Sequence, residues 1–444
     1  MAASKKLLLI TILGVILAGG FTIFSNPLAD PDMVQYDRLG YNLAEGAGFS
    51  LDVRAPYLPT MFREPGYPVF IAALYVIFGH SPKVVIFAQI VLHVLTALII
   101  YGMSREIFSE KIAFLSGILA AVFPTLANMP SYLMSETFFT FLLCLGTYLF
   151  LKALKVRNMI YFLVSGVVFG ILILTKTASL FLPFGIAFAA LIINAKKKLN
   201  LKQLSVFLII FLVPCFFMVS AWSIRNKKVF DTFTLTLRGG DVMWSRAEKI
   251  DDSGGEILAT ACSSFSEYLG RKLFPGMIAK KESYLYKDLH KVNEIKTEYA
   301  KNGMEPDKID AILKKEAFNK IAKHPFKYLF YTPVEAIKMT AFSYLPFLNE
   351  DKVCDYFTGI TGGGAMLSIL KGIFRLIAYP LLLLSFIGGI KNLKIWDRWL
   401  ALFTIILYFN TVYSLMDAIG RYAIVLIPFY CIFASAAFFK PDNL

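Results

Sequence analysis

The chain has 444 residues, of which 57% are hydrophobic, 17% are charged and 41 are phenylalanine. Soluble globular proteins average about 45–50% apolar and about 25% charged residues. This composition therefore excludes an ordinary cytosolic enzyme, a disordered chain and a small disulfide scaffold. The net charge of +14 would favour nucleic-acid binding on a soluble chain, but on an apolar chain the positions of the charges carry more information.

Ten apolar runs are candidates for transmembrane helices, because a bilayer core of about 30 Å needs about 20 apolar residues in a helix. The first run resembles a signal peptide, but it is long and lacks a cleavage site, so it is predicted to be an uncleaved span. Two runs, Thr137–Leu151 and Leu376–Ile390, have 15 uncharged residues and need flanking residues to complete them. The other eight are Leu7–Phe24, Val84–Met103, Ile112–Asn128, Met159–Thr175, Thr177–Ala195, Gln203–Trp222, Trp399–Met416 and Tyr422–Phe439.

The lysines and arginines of the short loops predict the orientation, since cytoplasmic loops carry an excess of them. With the N-terminus inside, the inside loops hold 15 Lys and Arg residues, and the outside short loops hold only Lys176 and Arg421. Both termini are therefore predicted to be cytoplasmic. The predicted fold is an all-α polytopic membrane protein with about ten spans and extracytoplasmic juxtamembrane helices.

Three parts of the chain follow from this topology. Residues 1–222 form an N-terminal transmembrane module of seven spans, whose first outer loop covers residues 25–82. Residues 223–371, called the middle segment below, are predicted to be a small, mostly helical extracytoplasmic segment. Residues 372–444 form a C-terminal transmembrane module of three spans.

The middle segment is rich in charge, with 20 Lys and Arg and 15 Asp and Glu in residues 223–330. Pro306 followed by Asp307 predicts the start of a helix, which ends before Pro325. If the stretch Tyr331–Leu348 crossed the membrane, every later loop would lie on the opposite side from the one its charges predict. This stretch is therefore predicted to be a helix that lies at the outer membrane surface. The apolar stripe of the first helix has four-residue spacing: Ile309, Leu313, Ala317 and Ile321.

Five cysteines form neither a metal-binding nor a disulfide pattern. Cys144, Cys215 and Cys431 lie inside apolar runs. Cys262 and Cys354 lie outside those runs, and a disulfide between them is left open.

Ionisable residues at the ends of membrane spans are candidates for function. On the predicted outer face, carboxylates that could act as a base occur beside several cations. This combination suits an attack on an anionic, membrane-held substrate, since cations stabilise the charge of a departing phosphate and arginine can bind phosphate oxygens in pairs. The set comprises Asp32, Arg63, Glu64, Glu136, Lys176, Arg225, Asp417 and Arg421.

Structural alternatives exist for the residues near the start of the chain. Asp32 could cap a helix, and Glu136 could cap the fourth span or pair with a cation. Arg63 and Glu64 could form an ion pair before a Pro-Gly turn.

The later residues have alternatives too. Lys176 could be a lysine whose amine only reaches the membrane surface, and Arg225 with Asn226 could anchor the outer domain. Arg421 is the stronger candidate because it lies on the outside, whereas most lysines and arginines of the short loops lie inside. Asp417 is four residues before Arg421 and is expected to be its partner on one helix.

The segment from Asp32 to Ser50, followed by Phe62-Arg63-Glu64-Pro65-Gly66-Tyr67-Pro68, resembles the first outer loop of the GT-C membrane glycosyltransferases. The branch it resembles contains the aminoarabinose–lipid A transferases and the protein O-mannosyltransferases. Further blocks keep the family's order and cover nearly the whole chain, although they say nothing about the sugar. They are Ser135-Glu136, Leu174-Thr175-Lys176, Trp222-Ser223-Ile224-Arg225-Asn226, His324-Pro325, and Gly420-Arg421-Tyr422 with Pro428.

The resemblance implies a polyprenyl-phosphate-dependent hexosyl- or pentosyltransferase of a bacterial inner membrane. A sugar would move, with inversion, from the polyprenyl phosphate to a glycan, lipid or protein hydroxyl at the outer face. Asp32 occupies the position of the general base, and Asp37 is the rival. Membrane lipids are expected partners and nucleic acids are not. The residues expected to bind the donor phosphate or substrate are Arg63, Glu64, Glu136, Lys176, Arg225, Arg421 and Tyr422.

A divalent cation is the one cofactor that the sequence suggests. Asp30 and Asp32 form an Asp-Pro-Asp that resembles the metal-binding motif of other glycosyltransferases, and carboxylate oxygens suit Mg²⁺ or Mn²⁺. Two carboxylates are few ligands for a metal ion, so metal dependence is left open.

Two other functions stay open at this point. A polyprenyl-lipid transporter or flippase would need charged or broken sites near the bilayer midplane. Pro214 and Pro380 interrupt predicted helices, but no carboxylate lies in the middle of a span. A non-catalytic envelope scaffold would use the middle segment as a docking surface.

Overall fold

A computed structural model describes residues 2–23, 25, 27–28, 31–197, 200–265, 270, 272–277, 287–340 and 363–439. Within these ranges the chain is almost entirely helical. The helices of the N-terminal module are α1 (Ala3–Thr22), α2 (Pro31–Ala44), α3 (Gly66–Phe78), α4 (Pro82–Ile107), α5 (Glu110–Val122), α6 (Pro124–Asn128), α7 (Ser135–Val156), α8 (Met159–Thr175), α9 (Leu182–Lys197) and α10 (Leu201–Phe230).

The remaining helices form the middle segment and the C-terminal module. A 3-10 helix over Gly420–Leu426 leads directly into the last of them. They are α11 (Gly239–Glu248), α12 (Gly254–Phe265), α13 (Lys287–Lys301), α14 (Pro306–Lys323), α15 (Pro325–Met339), α16 (Gly363–Lys391), α17 (Trp396–Leu415) and α18 (Ile427–Phe438).

The predicted fold class, a polytopic all-α membrane protein, is confirmed. Eight helical stretches among the described residues are long and apolar enough to cross a membrane. The predicted span Ile112–Asn128 is instead a pair of helices with a 48° bend, because Pro124 interrupts the hydrogen bonds of the helix. The predicted span Met159–Thr175 is helical but has only 17 residues, about 25 Å of helix.

The two short predicted spans gain the flanking residues that they need. α7 extends Thr137–Leu151 to 22 residues, and α16 extends Leu376–Ile390 to 29 residues. α10 continues past residue 222 and α16 begins before residue 372. The division of the chain at these residues stays a prediction.

The transmembrane helices pack closely at glycines. A Cβ atom on Gly166 of α8 would overlap the carbonyl of Phe211 in α10, and one on Gly388 of α16 would overlap the carbonyl of Phe433 in α18. Small residues allow such close approach in membranes, where burial of apolar surface gives little driving force between helices.

The middle segment has its own small core. Trp244 of α11, Val292 of α13, and Ile309 and Leu313 of α14 are buried together there. The predicted helix from Pro306 to the residue before Pro325 is confirmed, and its four-residue stripe packs into this core because residues four apart share one face of a helix.

α15 begins at Pro325, six residues before the predicted surface helix Tyr331–Leu348. Residues 341–348 of that prediction lie outside the described residues. Phe326 and Phe330 on one face are exposed, whereas Tyr331 is buried. A position at the membrane surface stays a prediction.

Candidate active site

Asp32 lies in the first turn of α2, where the chain turns after the first span. One carboxylate oxygen, Oδ1, accepts a hydrogen bond from Arg63 Nη2. The other, Oδ2, accepts one from Arg421 Nη2 at 3.0 Å. A single carboxylate therefore holds two arginines that are far apart in the sequence.

Arg63 is fixed in place by α2. Its side chain is 1% exposed, and it donates from Nε and Nη2 to Oε1 of Gln35 at 2.9 and 2.6 Å. Its guanidinium also lies 5.0 Å from the centre of the Tyr36 ring, a cation–π distance. Burial raises the pKa of Tyr36, so the phenol stays neutral beside the guanidinium.

Glu136, Lys176 and Arg421 form the second half of the site. Lys176 Nζ lies 2.8 Å from Glu136 Oε1, and Arg421 Nε lies 3.7 Å from the same oxygen. The ring of Tyr422 lies 5.7 Å from Lys176 Nζ and 6.0 Å from Arg421 Cζ. Arg421 thus links the two carboxylates, Asp32 and Glu136, into one network.

Glu136 lies at the start of α7 and is 2% exposed. Its Oε2 has no hydrogen-bond partner among the described residues. Glu136 also lines a cavity of about 10 Å³, which is close to the minimum for one water molecule with polar neighbours.

Glu64 does not pair with Arg63, so the proposed Arg63–Glu64 ion pair is wrong. Glu64 Oε1 accepts from the backbone N–H of Thr177 at 3.3 Å and from its hydroxyl at 2.9 Å. This contact ties the loop that carries Arg63 to the turn that carries Lys176.

Two predicted site residues lie apart from this network. Asp37 Oδ1 accepts from the Tyr75 hydroxyl at 2.5 Å and lies 3.1 Å from His80 Nε2. Arg225 donates to the carbonyl of Thr60 at 3.0 Å, and its guanidinium lies 4.8 Å from the Trp222 ring. Arg225 therefore supports the loop that leads to Arg63.

Asp417 is not the helix partner of Arg421, so that expectation is wrong. α17 ends at Leu415, and the four-residue spacing of a helix does not apply beyond it. The Asp417 carboxylate instead lies 2.5 Å from Lys249 Nζ and 2.7 Å from Lys338 Nζ, both in the middle segment.

Sequence reasoning missed Gln35 and Arg238. Gln35 lies three residues after Asp32, and helical spacing alone would have placed the two side chains on one face. Arg238 precedes α11, and no spacing links it to the first outer loop. Burial tends to raise the pKa of Asp32, but the attraction of Arg63, Arg421 and Arg238 outweighs it and holds that pKa well below the ordinary value of 3.8.

The binding of a divalent cation by Asp32 stays a prediction. Both of its oxygens accept hydrogen bonds from guanidinium groups, and Asp30 lies outside the described residues. Among the residues that the structure describes, no three His, Cys, Asp or Glu side chains form a possible metal site. Cys354 is also outside those residues, so its pairing with Cys262 stays open.

A cleft of about 920 Å³ lies beside the loop that carries Arg63. Residues 58–62 of that loop form one wall, and helices α11, α13 and α14 of the middle segment form the other. The charged residues of its lining are Lys296, Asp241, Glu305, Asp307 and Asp310, that is, one amine and four carboxylates.

The bundle of apolar helices, with eight candidate spans among the described residues, and the charged network at its helix ends define a polytopic membrane protein with a partly buried ionic site. Residues 62–222 match the family described as dolichyl-phosphate-mannose-protein mannosyltransferase. The GT-C resemblance of the sequence is therefore confirmed. No curated protein matches the chain significantly.

The structural similarity covers almost the whole chain. The apo crystal structure of the Archaeoglobus fulgidus oligosaccharyltransferase matches 97% of this chain and 50% of its own, with a TM-score of 0.53 and 14% identity. The same organism's AglB, in complex with an inhibitory peptide and a dolichol-phosphate, matches 97% and 49%, with a TM-score of 0.51 and 13% identity. The chain thus spans about half the length of these proteins.

ArnT from Cupriavidus metallidurans bound to undecaprenyl phosphate matches 98% of this chain and 78% of its own. The TM-score is 0.44 and the identity is 15%.

Proposed function

We propose that the protein is a glycosyltransferase that moves a sugar from a polyprenyl-phosphate carrier to a hydroxyl group of an acceptor, with inversion and with Asp32 as the general base. The observation that carries this proposal is the placement of Asp32 between Arg63 and Arg421. A carboxylate, which can accept a proton, and two guanidinium groups, which can bind phosphate oxygens, are in direct contact there. The similarity to AglB, which is solved with a dolichol-phosphate, supports a polyprenyl-phosphate donor.

The reaction breaks the bond between the anomeric carbon and the phosphate oxygen. The acceptor oxygen attacks the opposite face of that carbon while its proton passes to the Asp32 carboxylate. The bonding electrons leave with the polyprenyl phosphate. Arg63 and Arg421, and Lys176 beside them, stabilise the negative charge that develops on the phosphate.

Donor binding would also make Asp32 a better base. With both arginines bound to it, its pKa is held low, and a carboxylate of low pKa accepts a proton poorly. A phosphate group that draws the guanidinium groups toward itself would remove this stabilisation and raise the pKa of Asp32. In this proposal the donor phosphate both occupies the arginines and activates the base.

The cleft beside residues 58–62 is the proposed route of the acceptor. Its lining has three more negative than positive charges, from four carboxylates and one amine, whereas Arg63, Lys176, Arg238 and Arg421 surround the donor position. An uncharged or cationic acceptor fits this lining better than an anionic one. We further propose that the site faces the extracytoplasmic side of a bacterial inner membrane.

Replacing Asp32 by Asn tests the proposal. Transfer from a polyprenyl-phosphate sugar should fall about 10²–10⁴-fold, the usual contribution of a general base, while undecaprenyl phosphate still binds. The matched control is Asp37→Asn, which should retain transfer. Near-normal transfer by Asp32→Asn would reject Asp32 as the base and point to Asp37, and lipid movement without sugar transfer would support a transporter.

A further inference from the structure

Four charged side chains are buried together where the middle segment meets the chain between α17 and α18. We call them the Asp417 cluster, which consists of Lys249, Glu335, Lys338 and Asp417. None is more than 8% exposed. Lys249 Nζ lies 2.7 Å from Glu335 Oε1 and 2.5 Å from Asp417 Oδ1.

The cluster is balanced in charge, with two amines and two carboxylates. Lys338 Nζ lies 2.7 Å from Asp417 Oδ1 and 3.7 Å from Glu335 Oε2. The hydroxyl of Ser245 donates to Asp417 Oδ2 at 2.6 Å. Buried ion pairs seldom stabilise a fold more than apolar packing would, and their best-attested use is to fix one arrangement of the elements they join.

The arrangement fixed here is that of the chain just before Arg421. The backbone N–H of Ala418 donates to Glu335 Oε2 at 2.7 Å, and the hydroxyl of Tyr328 donates to the carbonyl of Leu415. Together with the ion pairs of Asp417, these contacts hold residues 415–418 against the middle segment. Arg421 follows only three residues after Ala418.

We propose that the Asp417 cluster positions Arg421 toward Asp32, so that the middle segment controls the phosphate-binding arginine. Lys249, Glu335 and Lys338 are positioning residues in this proposal, since they act through the backbone of residues 415–421. The consequence for donor binding depends on the function proposed above, whereas the positioning itself does not.

Glu335→Gln is the test variant because it removes one buried charge and keeps the shape of the side chain. Its matched control is Glu248→Gln, also in the middle segment. Glu248 contacts two lysines as well, Lys291 at 2.5 Å and Lys320 at 2.6 Å. The second variant combines Glu335→Gln with Lys338→Met. It removes one negative and one positive charge and leaves the ion pair of Lys249 with Asp417 in place. It is the test variant if Glu335→Gln alone fails to fold.

Hydrogen exchange of the full-length protein in detergent reports on positioning directly. Amides of residues 416–422 should exchange at least tenfold faster in the Glu335 variants and at the normal rate in Glu248→Gln. Unchanged exchange in the Glu335 variants overturns the inference, whatever the activity. Faster exchange of those amides in the control as well overturns it too.

Binding of undecaprenyl phosphate provides a double-mutant cycle. Glu335→Gln should weaken binding about tenfold in the normal protein and less than twofold when Arg421→Gln is already present. If Glu335→Gln weakens binding equally in both backgrounds, the inference that the cluster acts through Arg421 is overturned. If Arg421→Gln alone leaves binding unchanged, the proposed phosphate role of Arg421 fails, and the exchange rates still decide the positioning.

Discussion

Asp32 is the candidate base. Among the described residues, its carboxylate is also the one that contacts both Arg63 and Arg421. Arg63 is almost completely buried, and a buried charge that loses its partner destabilises a fold by about 3–5 kcal/mol. The site residue therefore has a structural role in the donor-free protein. Loss of activity on its replacement must be separated from loss of stability.

We expect Asp32→Asn to unfold at a lower temperature than the normal protein at pH 7. The folded-state pKa of Asp32 lies below its ordinary value of 3.8, so its contribution to stability is complete above that value and is lost as the pH falls through the folded-state pKa. The difference between the two unfolding temperatures should therefore shrink below about pH 4. Thermal unfolding in detergent from pH 7 to pH 3 measures it, and a constant difference would contradict the expectation.

At this scale the sequence predicted residue types better than residue partners. Ionisable side chains at span ends were identified as candidates because they are rare there, and five of them meet in the structure. Asp37 and Arg225 do not join them, since their partners come from α3 and from residues 60 and 222, which no spacing along the chain reveals. The five that meet are Asp32, Arg63, Glu136, Lys176 and Arg421, and the ring of Tyr422 lies beside Lys176.

At the scale of elements, adjacent glycines of α16 provide a matched pair for testing helix packing. A Cβ on Gly388 would overlap the carbonyl of Phe433, whereas one on Gly389 meets nothing within 4 Å. Both residues lie in the same turn, so helix propensity affects them equally.

Gly388→Ala should therefore destabilise the protein by about 1–3 kcal/mol, the usual effect of overpacking. Gly389→Ala should be neutral or stabilising by up to about 1 kcal/mol, because alanine favours the helix. Unfolding temperatures of the two variants in one detergent make the comparison. Equal values would mean that α16 and α18 are not packed as closely as described.

The presence of the apolar helices was predictable because apolar runs and their charged flanks mark them, whereas α10 and α16 extend well beyond their predicted limits. Bends within helices, and helix ends within the polar segments, were harder to predict. Asp417 was assigned to a helix that already ends at Leu415, so the pairing with Arg421 failed. The bend at Pro124 has a sequence signal in the proline itself, but its angle depends on the helices around it.

At the scale of the whole molecule, the topology is the prediction with the widest consequence. The lysine and arginine bias places Lys394 inside and the loop with Arg54 outside, and both side chains are exposed. In a variant without the five native cysteines, Arg54→Cys should react with an impermeant maleimide on intact cells. Lys394→Cys should react only after the membrane is opened, and the reverse pattern would invert the whole topology.

The position of the middle segment on the bundle could not be predicted from the pattern of apolar residues. Its core and its helix at Pro306 follow from the four-residue stripe. Its attachment depends on buried ion pairs between residues far apart, such as Lys249 with Asp417, and individual charges on a polar surface give no indication of such partners.

The distance along the chain between Asp32 and Arg421, 389 residues, has a consequence for biosynthesis. A ribosome adds Asp32 to the chain 389 residues before Arg421, and Arg421 precedes the last described helix. Between the synthesis of Arg63 and that of Arg421, Asp32 and Arg63 can pair with each other, but the link to Glu136 through Arg421 cannot form. A nascent chain can therefore form the helices up to α17 before the network of Asp32, Arg421 and Glu136 is complete.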